Sequence, residues 1–154
     1  MFHREAQARD AQVSDVRYEL FLILGRDNKY SGKVIIDFML SDSQEDLFID
    51  FQGLQVSSVL VNIALMDSSE VNFSGHRVHI PASLLNKQKM NQVVIFFENE
   101  YVHNSAGLHQ YVDPVDNQMY FYSHLEPFFC HRWFPCFDQP SIRAPLKMRV
   151  ITPD

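Results

Sequence analysis

The densest chemistry in the chain lies between Tyr120 and Pro140, which reads Tyr-Phe-Tyr-Ser-His-Leu-Glu-Pro-Phe-Phe-Cys-His-Arg-Trp-Phe-Pro-Cys-Phe-Asp-Gln-Pro. Aromatic side chains there surround His124, Glu126, Cys130, His131, Cys136 and Asp138, groups able to ligate a metal, move a proton or hold a charged ligand. Spacing removes most of these options. Cys130 and Cys136 form Cys-x5-Cys without a second ligand pair, too few donors for the four-coordinate array of a structural zinc site, so both are expected as free thiols. His103 and His109 stand six apart with His124 further on, whereas histidines that ligate from one helix face sit about four apart; the three are expected to be surface histidines. Ser123, His124 and Glu126 bring a hydroxyl, an imidazole and a carboxylate within four residues. Adjacent strand residues point to opposite faces, however, which separates Ser123 from His124 as a nucleophile and base. His124 and Glu126, two apart, can share a face at a strand end and make a ligand-facing pair just before Pro127.

Strands must position that pair. From Val16 the apolar period is two: Val16, Tyr18, Leu20, Leu22 and Leu24 mark one buried face. After turn formers at Asp27-Asn28 and Ser31-Gly32, the stretch from Lys33 to Leu40 repeats the alternation, as an antiparallel partner would. Leu47 to Phe51, Val56 to Val61, Val71 to Phe73, Arg77 to Ile80 and Gln92 to Phe97 continue it, and Pro81 to Lys87 suits a single helical turn. Regularity lapses from Tyr101 to Asp116, read as a long surface excursion, then returns at Gln118 to Tyr122 and again at Pro145 to Ile151, read as a core strand. Arg4 to Gln12 predicts a short N-terminal helix whose only apolar residues are alanines, hence thinly packed. Phe128, Phe129, Trp133, Phe134 and Phe137 are expected to bury against the sheet, and Asp138 to accept local amide bonds. The expectation is an all-β fold, a β-sandwich or curved open sheet with one short helix.

Composition narrows function further. A formal net charge of −6 offers no basic footprint for nucleic acid. The apolar runs are strand-sized, far short of the ~20 residues of a membrane-spanning helix, and Met1 to Arg9 lacks the apolar region of a secretory signal. Two cysteines and no export signal point to the cytoplasm. Five glycines and no Gly-rich loop argue against nucleotide cradling.

Taken in order, Tyr120, Tyr122, Glu126, Pro127, Arg132, Phe134, Pro135, Cys136, Phe137, Asp138 and Pro140, with Ser123 in place of a Thr, resemble the N-terminal domain of the zinc-dependent aminopeptidase N family, the M1 metallopeptidases. The run from Gly107 to Asp116 resembles the segment preceding this block in a bacterial-type branch, and Arg4 to Arg9 the N-terminal helix there. The resemblance implies a saddle-shaped, all-β domain lying over a thermolysin-like catalytic domain and closing one side of its active site. It implies that Glu126 helps hold the free α-amino group of a peptide, and that His124, standing where the family has Gln, lines the pocket for the first side chain. An imidazole there can charge in mild acid and repel the substrate ammonium. Cys130 and His131 replace the family's Ala and first Arg. Neither His-Glu-x-x-His nor Gly-x-Met-Glu-Asn occurs in the chain, so zinc and its catalysis are expected only in a complete parent enzyme. The chain is expected to be a domain incomplete at its C-terminus and inactive alone, with a peptide N-terminus and the parent's catalytic domain as partners. A second reading, from another class, is a free-standing β-domain that binds a peptide or protein partner through the aromatic block and an open sheet edge.

Overall fold

Alternating burial organises the chain into strands, and a computed structural model describes residues 3–41, 45–66, 71–103 and 106–153. Helix α1 (His3–Gln12) leads into strands β1 (Val13–Leu24), β2 (Lys29–Leu40), β3 (Leu47–Asp50), β4 (Gln55–Val61), β5 (Ala64–Leu65), β6 (Asn72–Phe73), β7 (Arg77–Ile80), β8 (Met90–Glu100), β9 (Gly107–Val112), β10 (Met119–His124) and β11 (Leu146–Ile151). The single helical turn expected after Pro81 is a 3-10 turn over Ala82–Leu84. The fold is all-β with one short helix, as the periodicity predicts.

Six strands form the main sheet in the order β11-β1-β2-β8-β4-β5, and β3-β7-β6 form a second sheet. Register keeps the apolar set on one face: Leu20 lies opposite Val34, Val34 opposite Ile95, and Ile95 opposite Val59. A slip of one residue would turn this whole set to solvent. Leu47, Ile49, Phe51, Val78 and Ile80 of the smaller sheet and its flank face the same core, and Phe51 meets Phe97 edge to face across the sandwich at 5.2 Å. Each such fully buried aliphatic or phenyl side chain contributes roughly 1.5–3 kcal/mol relative to exposure.

Three expectations need correction. The excursion after Tyr101 contains β9, which pairs antiparallel with β10 from Val112 against Met119 to Gly107 against His124. The turn between them is closed by Asp113, whose backbone N–H donates to Gln118 and whose carboxylate accepts from the Val115 N–H. Second, β11 is not a core strand. It pairs parallel to β1 at the end of the sheet, and every one of its residues is exposed. Leu146, Met148 and Val150 lie on the core side, beside Tyr18, Leu20 and Leu22, yet each is at least 40% exposed because nothing among the described residues covers that corner.

Third, α1 is fastened by a cation instead of resting on alanines. Arg9 is 1% exposed; its Nη1 donates to Asp50 Oδ2 at 2.6 Å and its Nε to Gln139 Oε1 at 3.2 Å. Its guanidinium lies over the Phe48 ring at 4.6 Å. Glu5 of the same helix takes a two-pronged pair from Arg77, at 2.7 and 3.0 Å.

Candidate functional site

The block from Leu125 to Pro140 has little regular structure of its own, so its backbone groups are satisfied by the sandwich edge. Asp50 and Cys136 exchange both backbone hydrogen bonds, at 2.9 and 3.0 Å, and the Gln52 N–H donates to the His131 carbonyl. The Tyr30 hydroxyl donates to the Trp133 carbonyl at 2.7 Å, and the Asn99 amide to the Arg132 carbonyl at 3.0 Å. The Phe137 N–H donates to the Tyr18 hydroxyl at 3.0 Å. Burial, with Cys136 next in effect, raises the Tyr18 phenol well above its usual range, and burial does the same to Tyr30 and to the Cys136 thiol. These groups serve as neutral struts.

Trp133, Phe134 and Phe137 are buried as expected, Phe129 is half-buried, and Phe128 departs from expectation at 54% exposed. Phe128 stacks on Phe129 outside the core, with the Arg132 guanidinium over the Phe129 ring at 5.0 Å. Asp138 accepts from both the backbone N–H and the ring Nδ1 of His131, the local capping role its position suggests. Cys130 and Cys136 are free thiols.

The predicted pair sits at the exit of β10. His124 is the last strand residue, opposite Gly107, and Glu126 follows in the turn closed by the Phe129 N–H on the Leu125 carbonyl. Both side chains are exposed. Among the described residues no hydrogen bond or ion pair engages the Glu126 carboxylate. Its peptide bond to Pro127 is cis. Phe121, on the other face of β10, leans on Tyr101 at 5.5 Å and so ties the hairpin to the core; burial pushes the Tyr101 phenol up to about 12. Gly107 is required where it stands: its φ is +114°, and an added Cβ would meet Val102 at 3.1 Å.

What spacing alone did not show is that the strand register gathers three histidines. His103, His109 and His124 line one cavity of about 300 Å³ with Val102, Tyr111 and Tyr122. His109 is 6% exposed, not a surface residue, and lies flat against Tyr122, its register partner, at 4.6 Å. Burial first, then the charges of His103 and His124, hold its imidazole below the usual range, with the Val102 backbone acting in the opposite sense. The turn residues Asp113 and Asn117 were the sequence signal for this hairpin.

A larger apolar hollow of about 570 Å³ on the outer face of the main sheet, lined by Phe21, Phe96 and Ile151, lacks such a set of titrating groups. No three His, Cys, Asp or Glu side chains among the described residues could together hold a metal ion. No helix among them is long and apolar enough to cross a membrane.

The β-sandwich carries the aromatic block on its edge, and the hairpin turns outward a carboxylate that is unpaired among the described residues. Residues 14–154 match the Peptidase M1 N-terminal domain, and the chain belongs to that family. It is 29% identical over 153 residues to an aminopeptidase N of Streptomyces lividans, covering 97% of this chain and 17% of that protein. A probable aminopeptidase of Sulfurisphaera tokodaii is 25% identical over 138 residues, with 90% of this chain and 16% of that protein covered. The chain therefore spans about a sixth of the length of these relatives. The fold also matches an M1 zinc metallopeptidase of Deinococcus radiodurans, with a TM-score of 0.75 and 19% identity over 92% of this chain and 33% of that one. A leukotriene A4 hydrolase from Saccharomyces cerevisiae gives 0.74 and 17%, covering 99% of this chain and 28% of that one.

Proposed function

We propose that the chain is the N-terminal substrate-recognition domain of a zinc-dependent M1 aminopeptidase, holding the free α-amino group of a peptide on Glu126 and placing the first side chain beside His124. The observation that carries this reading is the exposed Glu126 carboxylate, unpaired among the described residues, at the end of β10 inside the family-matching segment. A carboxylate left without a cation is available for an ammonium, and the charge-assisted hydrogen bonds it forms are about twice as strong as neutral ones. His124, two residues earlier and likewise exposed, borders the cavity beside it.

The donors for catalytic zinc do not fit this chain. It has no His-Glu-x-x-His, and no three ligating side chains come together among the described residues. Zinc and the hydrolytic chemistry belong to a separate catalytic domain, which is the partner that the hairpin face meets. The free thiols Cys130 and Cys136 favour a reducing compartment and hence the cytoplasm.

The test is hydrolysis of aminoacyl p-nitroanilides by the longer protein that joins this domain to a zinc-bearing one. Glu126→Gln should lower kcat/KM by about 10- to 150-fold, the equivalent of a charged hydrogen bond of about 1.5–3 kcal/mol. An unchanged kcat/KM would remove Glu126 from the reading.

A further inference from the structure

The outer face of the main sheet carries an ordered set of side chains that amine recognition does not use. Register places Arg149, Phe21, Lys33 and Phe96 side by side on the neighbouring strands β11, β1, β2 and β8. Cation and phenyl ring thus alternate across the sheet. Lys33 Nζ lies over the Phe21 ring at 4.4 Å and over the Phe96 ring at 6.0 Å, and the Arg149 guanidinium lies over Phe21 at 5.6 Å. The next row on the same face adds Ile151 and Ile23, both exposed, as is Phe96. Together these side chains line the hollow of about 570 Å³.

The charges of this row are unanswered. On the row to one side Lys147 pairs with Glu19 at 3.5 Å, and on the row to the other Glu98 pairs with Lys29 at 3.3 Å, so both nearby acids are taken. Among the described residues no hydrogen bond or ion pair engages the Lys33 ammonium or the Arg149 guanidinium. In a chain of net charge −6, two cations without a counter-charge line one apolar hollow.

Each feature narrows the occupant. The volume falls within the range of small-molecule sites. The lining calls for an apolar body, and the two cations call for an anionic group attached to it. A second copy meeting this face about a two-fold axis would bring the same cationic patch against itself, which like charges oppose.

We propose that the hollow binds a small organic anion, a carboxylate or sulfonate on an apolar body, with the anionic group between Lys33 and Arg149 above Phe21 and the body against Ile23, Ile151 and Phe96. Nothing in this site depends on Glu126, so it stands or falls apart from amine recognition.

The experiment is fluorescence titration of the folded chain with anilinonaphthalenesulfonate (ANS) and with neutral N-phenylnaphthylamine (NPN), which has the same rings without the sulfonate. ANS is expected to saturate one site per chain and to bind about tenfold tighter than NPN, the combined effect of two partly exposed ion pairs. Added salt should weaken ANS but not NPN. Lys33→Gln with Arg149→Gln should bring ANS down to the level of NPN, whereas Ile151→Ser should weaken both probes alike. Equal affinity for the two probes, or ANS binding unmoved by the paired substitution, overturns the anion site. Absence of saturable ANS binding to folded chain does the same. A dimer seen by sedimentation and dissolved by Ile23→Lys would give the hollow to a second copy and also overturn the proposal. Should the doubly substituted chain fail to fold, the salt dependence of the unaltered chain decides alone.

Discussion

Replacing Arg9 with Met tests whether α1 is a structural member or an ornament. Arg9 is 1% exposed and pairs at 2.6 Å with Asp50, whose side chain is 13% exposed. Removing one partner of a buried pair costs about 3–5 kcal/mol, because the other charge stays behind without compensation. Two features pull the expected value to the lower end. Arg77 Nε remains 4.0 Å from Asp50 Oδ1, and the Asp138 N–H still donates to Asp50 Oδ2 at 3.2 Å. Met also retains much of the apolar stem that packs on Phe48. About 3 kcal/mol is therefore expected, a large share of the roughly 5–15 kcal/mol that holds a domain together. The comparison is Lys29→Met, which breaks a pair whose side chains are 45% and 41% exposed and should cost under about 1 kcal/mol. Urea unfolding of the two variants and the parent chain gives both numbers from the midpoint and slope. Adding Asp50→Asn to Arg9→Met should recover part of the loss, since the stranded charge disappears. A loss for Arg9→Met no larger than for Lys29→Met would refute the argument, as would simple additivity of Arg9→Met and Asp50→Asn.

Tyr18→Phe keeps the ring but strands the buried Phe137 N–H, so a loss of about 1–3 kcal/mol in unfolding free energy, read from the urea midpoint and slope, is expected, and a neutral change would mean another acceptor takes over. Because burial and its histidine neighbours hold His109 below the usual range, the unfolded chain takes up that proton first as pH falls. Stability fully present above about pH 6.5 should thus drain on acidification from there downward, less steeply in His109→Phe, and identical slopes in the two proteins would contradict this. Cys136 is buried and its thiol is raised by that burial, so it should resist alkylation in folded chain at mildly alkaline pH and react only on unfolding; rapid modification of both cysteines would show the block to be loosely held.

Most strands were legible because their residues obey one rule. Val16 to Leu24 and Lys33 to Leu40 alternate cleanly, since one face of each is buried and the other is wet. Strand β9 was not, because Gly-Leu-His-Gln-Tyr-Val buries three consecutive residues at its start and exposes the last two, which erases the period. The misreading of His109 follows directly, for without β9 there is no register to bring it against Tyr122. Composition marked Arg9 as a helix former and could not reveal Asp50, 41 residues away, as its partner. Residue type alone places Phe128 in the core, whereas its exposure is set by the turn after Glu126. The pair His124 and Glu126 was expected to share a face on strand spacing, a property local to the sequence, but β10 ends at His124 and Glu126 lies in the turn that follows.

The attachments of the aromatic block also bear on the order in which the protein assembles. Its fastenings join Phe137 to Tyr18 across 119 positions, Trp133 to Tyr30 across 103, and Gln139 to Arg9 across 130. Contacts between such distant positions close large loops and are slow to form, whereas the β1–β2 and β9–β10 hairpins close small ones. The hairpin that carries His124 can therefore assemble early, but the wall behind Glu126 comes into being only when the two ends of the chain have met. Amides such as Phe137 N–H should then exchange with solvent only through opening of the whole domain, and the aromatic block has no independent life as a peptide excised from the rest.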